Sequence, residues 1–183
     1  AYDAQEDFLS GYNHTVGAGV THIANHHLAP GMKFWTWGTG PQCEAWERIL
    51  TDTDGQYIEL MAGTFSDNQP DYSWLEPYET KDMDQYWYPI RGIGGAKNAN
   101  IEATVNLELA ADSTAKLGFY TTSAVKDAKV VLKAGSEVIF SDTKDIDPAN
   151  PFYKEIKVDP SIKETELEAG LFTSNNEKII SYK

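Results

Sequence analysis

The chain has 183 residues, a formal charge of −13 and a pI near 4.6. That length holds one large domain or two small ones, each with a core of its own, and the charge weighs against nucleic acid and anionic membrane surfaces, which would be repelled. No apolar run is long enough for membrane insertion, Cys43 as the sole cysteine leaves no internal disulfide, and a neutral partner suits the balance.

The chain opens on Ala1 without a Met, a basic n-region or an apolar h-region, as a processed or excised chain would. Residues 19–24 and 33–37 read as strands with Pro30-Gly31 as the turn between them. Residues 41–50 predict a short helix with Pro41 in its first turn. A turn follows at 51–55, then a strand at 56–62 and another turn at 67–71. The Pro-punctuated run to Tyr88 reads as extended chain or loop. Three glycines in four positions make residues 91–100 look like a connector, which places a domain boundary near residue 97.

The second half reads as strands throughout. Ile101, Ala103, Val105, Leu107 and Leu109 alternate with polar residues, the period of a half-buried strand. Further strands are expected at 116–122, 128–133, 137–140, 152–158, 166–172 and 178–182, separated by Gly-, Pro- and Asn-containing turns. Seven short strands in about 85 residues fit a small antiparallel sandwich of immunoglobulin or fibronectin type III kind. Its charges read as solvated outer faces, with no site among them.

The chemistry is concentrated in the first half. Between Tyr57 and Pro89, eight aromatics and seven carboxylates share 33 positions. Aromatic faces stack on the C–H patches of a sugar ring and carboxylates accept hydroxyl hydrogen bonds, so the mixture suits a polyhydroxylated ligand. It equally suits a loop-rich region pinned by buried Tyr and Trp. Trp35, Trp37, Trp74, Trp87 and Tyr78 are the candidate stacking platforms. Asp67, Gln69, Asp71 and Glu79 are candidate polar contacts, although the first three are also ordinary turn formers. Glu59 sits inside the apolar run Tyr57-Ile-Glu-Leu-Met61, where Ile58 and Leu60 would face away from it. A partly desolvated carboxylate there could act as a general base, or be a Glu on the solvent face of an edge strand. His22, His26 and His27 fall within six positions and could serve acid/base chemistry or simply pack. No His-Glu-x-x-His pattern, phosphate loop or nucleophile elbow is present, so neither a metal site nor a cofactor is expected.

Several motifs together resemble a bacterial family. They are Gly11-Tyr-Asn-His14, Val20-Thr-His-Ile-Ala-Asn-His26, Pro30-Gly-Met-Lys-Phe-Trp-Thr-Trp-Gly38, Leu50-Thr-Asp-Thr-Asp-Gly55, Tyr57-Ile-Glu-Leu-Met-Ala-Gly63 and Gln85-Tyr-Trp-Tyr-Pro89. The chain is similar over residues 8–95 to the domain-of-unknown-function 5107 family, which looks like part of the galactose-mutarotase-like β-supersandwich superfamily. In that family a small β-sandwich commonly follows. The resemblance implies an all-β fold, the C-terminal portion of a supersandwich at 1–97 and the small sandwich at 98–183. It also implies a carbohydrate-facing concave sheet, with Glu59 in the position of a mutarotase base and His22 or His26 as the acid. The function so implied is acid/base chemistry on a sugar, epimerase-like or glycosidase-like, in a longer protein of the bacterial periplasm or cell envelope. The piece alone would be inactive. The alternatives are a non-catalytic carbohydrate-binding module and a purely structural pair of β-domains. Carbohydrate is the partner this reading implies, and oligomeric state is left open.

Overall fold

A computed structural model describes residues 5–51, 53–65 and 73–183. The chain is nearly all β, with several antiparallel sheets and one α-helix among the described residues. It divides into two compact units, one at Ala24–Asp84 and the other formed by Glu6–Ile23 together with Gln85–Lys183.

The larger unit is built on two four-stranded sheets. One contains β6 (Asn98–Ala99), β7 (Ala103–Leu109), β8 (Thr114–Thr121) and β11 (Phe152–Lys157), in the order β11-β8-β7-β6. The other runs β10-β9-β12-β13, from β9 (Val125–Ala134), β10 (Glu137–Ile146), β12 (Leu167–Phe172) and β13 (Lys178–Tyr182). Leaving aside β6, the division into β7, β8, β11 against β9, β10, β12, β13 is that of a fibronectin type III sandwich. All seven expected strands of this half are present. Their inward residues form one core, in which Val105, Leu107, Leu117, Phe119, Val130, Leu132, Leu167 and Leu171 have no more than 1 % exposure. Burial on that scale is the main force holding the sandwich together. Asn98 and Asn100 each donate a side-chain amide to a β13 carbonyl, of Ser181 and Ile179, both at 2.8 Å. The Asn-Ala-Asn100 stretch thereby ties one sheet to the other.

Two local readings of this half change. Strand β10 continues past Phe140 to Ile146, through the polar run Ser141-Asp-Thr-Lys-Asp145. It is an edge strand, paired only to β9 and interrupted by two register shifts, and such strands tolerate charges that a central strand would not. Strand β7 is buried on both faces rather than one, since Thr104 and Asn106 are as enclosed as Val105.

The cover over that second face comes from earlier in the chain. Strand β1 (Phe8–Asn13), β2 (Ala18–Ile23) and β5 (Tyr86–Arg91) form a three-stranded antiparallel sheet in the order β1-β2-β5. From it and the following segment, Ile90 and Ile93 pack with Tyr120 of β8 in a second cluster flanked by Tyr12 and Tyr88. The Tyr88 hydroxyl donates to the Asn100 carbonyl at 2.7 Å and lies 2.8 Å from the Thr104 hydroxyl. Burial, chiefly, pushes the Tyr88 phenol up to about 12. The Asn106 side chain donates to the Ile93 carbonyl at 2.8 Å. A Cβ placed on Gly118 would lie 2.6 Å from that same carbonyl, so only glycine lets the segment close down on β8. The glycine-rich run at 92–95, expected as a connector, is packed in place.

The smaller unit is sparser. Among the described residues, strand β3 (Lys33–Thr36) and β4 (Ile58–Met61) pair only with each other, as a two-stranded ribbon rather than the broad concave sheet that the resemblance implies. Between them lies α1 (Pro41–Leu50), with the expected bounds. Pro41 opens the helix, Glu44 and Arg48 complement its dipole at the two ends, and the Thr51 N–H closes it on the Glu47 carbonyl at 2.8 Å. None of its side chains is buried. The Pro30-Gly31 turn is fixed by close approach, because a Cβ at Gly31 would stand 2.1 Å from the Phe65 carbonyl oxygen. The Gly31 N–H donates to the Gly63 carbonyl at 3.0 Å.

Candidate functional site

The β3–β4 ribbon places two of the expected residues together. Trp35 and Glu59 are direct cross-strand partners. Opposed residues of an antiparallel pair project from the same face, with Cβ atoms about 4.5–5.5 Å apart. Lys33 and Met61, two residues along their strands, share that face, while Phe34, Thr36, Ile58 and Leu60 occupy the other. Trp35 is half exposed and Glu59 half buried. An indole face therefore stands beside a carboxylate, the pairing that a sugar ring with hydroxyls at its edge would use.

Trp37, just past the end of β3, stacks on Trp46 of α1, with centroids 5.4 Å apart and planes 23° from parallel. Its indole N–H is buried and without a partner among the described residues. Trp46, itself half exposed, belongs to this aromatic group and was not among the sequence candidates. Its spacing on the helix face with Ile49 and Leu50 was the available signal. Trp74 is largely exposed and Tyr78 fully so. Tyr78 holds a φ of 69°, a left-handed conformation that costs a non-glycine residue about 1–2 kcal/mol. Glu79 folds back onto its own turn, accepting the Glu76 N–H on Oε2 at 2.7 Å, so one oxygen is already engaged. Asp67, Gln69 and Asp71 lie outside the described residues.

The His26 and His27 rings lie with centroids 3.9 Å apart, tilted at 41° to each other. Their turn is capped by Asn25, whose side-chain oxygen accepts the His27 N–H at 2.9 Å. His27 lines an open cleft of about 510 Å³ together with Leu28, Pro30, Thr64, Thr80, Lys81 and Asp82. Of these only His27 was a chemical candidate in the sequence, because the cleft is assembled from three separate stretches of chain.

His22 and Trp87 belong to the other unit, on β2 and β5. They are cross-strand partners whose rings lie 4.4 Å apart at 49°. His22 has no solvent exposure, whereas Trp87 keeps nearly half of its surface. The His22 Nε2 lies 3.2 Å from the Gln85 side-chain oxygen, to which the Nε2–H tautomer donates. Its Nδ1 is buried without a partner among the described residues. Desolvation lowers the His22 pKa, with the Gln85 hydrogen bond opposing it, so the ring is neutral at pH 7. Gln85 was quoted only as part of a motif. Its position two residues before Trp87 puts it on the same face as Trp87 and His22 once the β2–β5 pairing is known.

The structure thus brings together Trp35 with Glu59, Trp37 with Trp46, His26 with His27, and His22 with Trp87 and Gln85. Among the described residues no group of three or more His, Cys, Asp or Glu side chains could hold a metal ion. No helix among them is long and apolar enough to cross a membrane. Residues 3–90 match the family model described as domain of unknown function (DUF5107), and residues 98–182 match the model described as YphG-like protein, second domain. No solved structure matches the chain.

Proposed function

With its first half a member of the DUF5107 family and its second half a YphG-like second domain, the chain is, we propose, the glycan-contacting part of a carbohydrate-active protein. The observation that carries this reading is the Trp35–Glu59 pair on one face of the β3–β4 ribbon. A tryptophan face and a neighbouring acceptor satisfy the two halves of sugar recognition at once, stacking and hydroxyl hydrogen bonding. Trp46, Trp74 and Tyr78 add exposed rings on the same compact unit. Tyr78 adds a strained backbone, a feature that collects at binding sites. The acidic balance of the chain tells against anionic ligands and leaves neutral sugars favoured.

Acid/base chemistry on the sugar goes with the same surface, Glu59 acting as the base. A neutral, buried His22 is poor as a proton donor at pH 7, so His26 or His27, on the same unit as Glu59, is the better candidate for the acid. A bacterial envelope setting accompanies this reading through the family resemblance.

Glycan-array binding separates the possibilities. Wild type retains a set of neutral oligosaccharides, and Trp35→Ala weakens them about tenfold, the order expected for losing one stacked ring. Glu59→Gln leaves binding within a few-fold but abolishes any turnover of the bound sugar. Binding that survives Trp35→Ala intact overturns the site, and turnover that survives Glu59→Gln overturns the catalytic part alone.

A further inference from the structure

The sandwich carries a second cleft, at the end where the β8–β9 and β12–β13 turns meet. It has a volume of about 650 Å³ and draws residues from the segment before β7 and from both turns. We propose that this cleft binds a peptide segment presenting an arginine or lysine side chain. The proposal is independent of the glycan reading, which concerns the other unit.

Its walls are already fixed. The Thr122 hydroxyl donates to the Ile101 carbonyl, and the Thr122 N–H to the Glu102 carbonyl, both at 2.9 Å. In the β12–β13 turn the Thr173 N–H donates to the Glu177 carbonyl at 2.8 Å, and the Asn176 N–H to the Thr173 carbonyl at 3.0 Å. Lys129 of β9 pins the tip of that turn by donating to the Asn176 side-chain oxygen at 2.7 Å. A cleft held this way asks little ordering of itself when a ligand enters.

Its chemistry selects a long cationic side chain. Glu102 comes from one wall and Glu177 from another, and neither carboxylate has a partner among the described residues. Lys126, one of two lysines at the cleft, is already engaged by Asp145 at 2.6 Å. That leaves two free carboxylates against the single ammonium of Lys178. Half-buried Val125 and Ile179 supply an aliphatic floor. An arginine or lysine lays its methylene stem on such a floor and donates from its head to carboxylates. No aromatic residue lines the cleft, so a sugar ring finds nothing to stack on, in contrast to the Trp35 surface. The charge of −13 adds a long-range attraction for cationic partners. Lys178 is then placed to donate to a peptide carbonyl.

The test is an amide-resolved NMR titration of the whole chain with an N-acetylated, C-amidated Ala-Arg-Ala peptide, and with the same peptide carrying citrulline. The arginine peptide should shift the amide signals of Ala124, Val125, Ser174 and Ile179. The citrulline peptide, isosteric but uncharged, should bind at least about tenfold more weakly. Glu102→Gln and Glu177→Gln, both at exposed positions that leave the fold intact, should each weaken the arginine peptide severalfold. Equal binding of the two peptides overturns the proposal. So do an absence of shifts and shifts scattered over other acidic surfaces. A neutral disaccharide that moves these same signals would assign the cleft to sugar and overturn it as well.

Discussion

His22 is the residue whose environment departs furthest from what its position in the sequence suggests. It lies on an expected strand among motif residues, yet it is fully enclosed, with Nδ1 unpartnered among the described residues and a lowered pKa. Unfolded, the ring binds a proton near its ordinary value of 6.5, while folded it does so only at lower pH. The unfolded state therefore takes up more protons below pH 6.5, and the stability that His22 contributes, complete above that value, falls away as pH drops toward the folded pKa. Urea midpoints measured from neutral to mildly acidic pH should fall in wild type and fall less steeply in His22→Gln. Parallel curves would contradict the assignment. Tyr78 gives a second test, because glycine carries no penalty at its φ of 69°. Tyr78→Gly should stabilise the chain by up to about 1 kcal/mol in thermal unfolding while weakening glycan retention. A loss of stability would show that the tyrosine ring is anchored. Glu59 and Trp35 were legible one by one, as an acid in an apolar run and an exposed-type aromatic. Their pairing was not, because register depends on where the ribbon turns, and α1 intervenes between its strands.

At the scale of elements, legibility follows burial. The seven sandwich strands were readable because inward Val, Leu and Phe alternate with polar residues over a real core. Strand β1 was missed, since Phe8-Leu-Ser-Gly-Tyr-Asn13 has neither alternation nor turn punctuation. Strand β5 was hidden by Pro89, which a central strand would not accept. It is tolerated because β5 sits at the edge of its sheet, with Pro89 in register with Val20. The packing of β5 and the segment after it over β8 is the contact no sequence period announces. Gly118→Ala tests it: a Cβ there meets the Ile93 carbonyl at 2.6 Å and the Ile93 side chain at 2.8 Å. The cost should be about 1–3 kcal/mol, read from denaturant midpoints. An effect near zero would mean that the segment lifts off freely. In the core, Leu132→Ala should cost about 2–5 kcal/mol, whereas Ile49→Ala on the exposed face of α1 should stay within about 0.5 kcal/mol.

Taken whole, the chain pairs a well-cored unit with a sparse one. The first rests on three sheets and two apolar clusters, the second on a two-stranded ribbon and a helix with no buried side chain. An isolated two-stranded ribbon is marginal in water, so opening free energies should differ widely between the units. Hydrogen exchange should protect the amides of β9 and β12 most and those of β3 and β4 least. Uniform protection would contradict the division. Function is carried by the sparse unit, and four of the five tryptophans, Trp35, Trp37, Trp46 and Trp74, report on it directly. Their indole N–H signals, followed by NMR during titration of the whole chain with a neutral oligosaccharide retained on the array, are the most direct test. The signals of Trp35 and Trp74 should shift together in a saturable manner, with an affinity that changes by no more than a few-fold in Glu59→Gln. Saturable binding that leaves the Trp35 signal unmoved, or no binding by any neutral glycan, would contradict this reading.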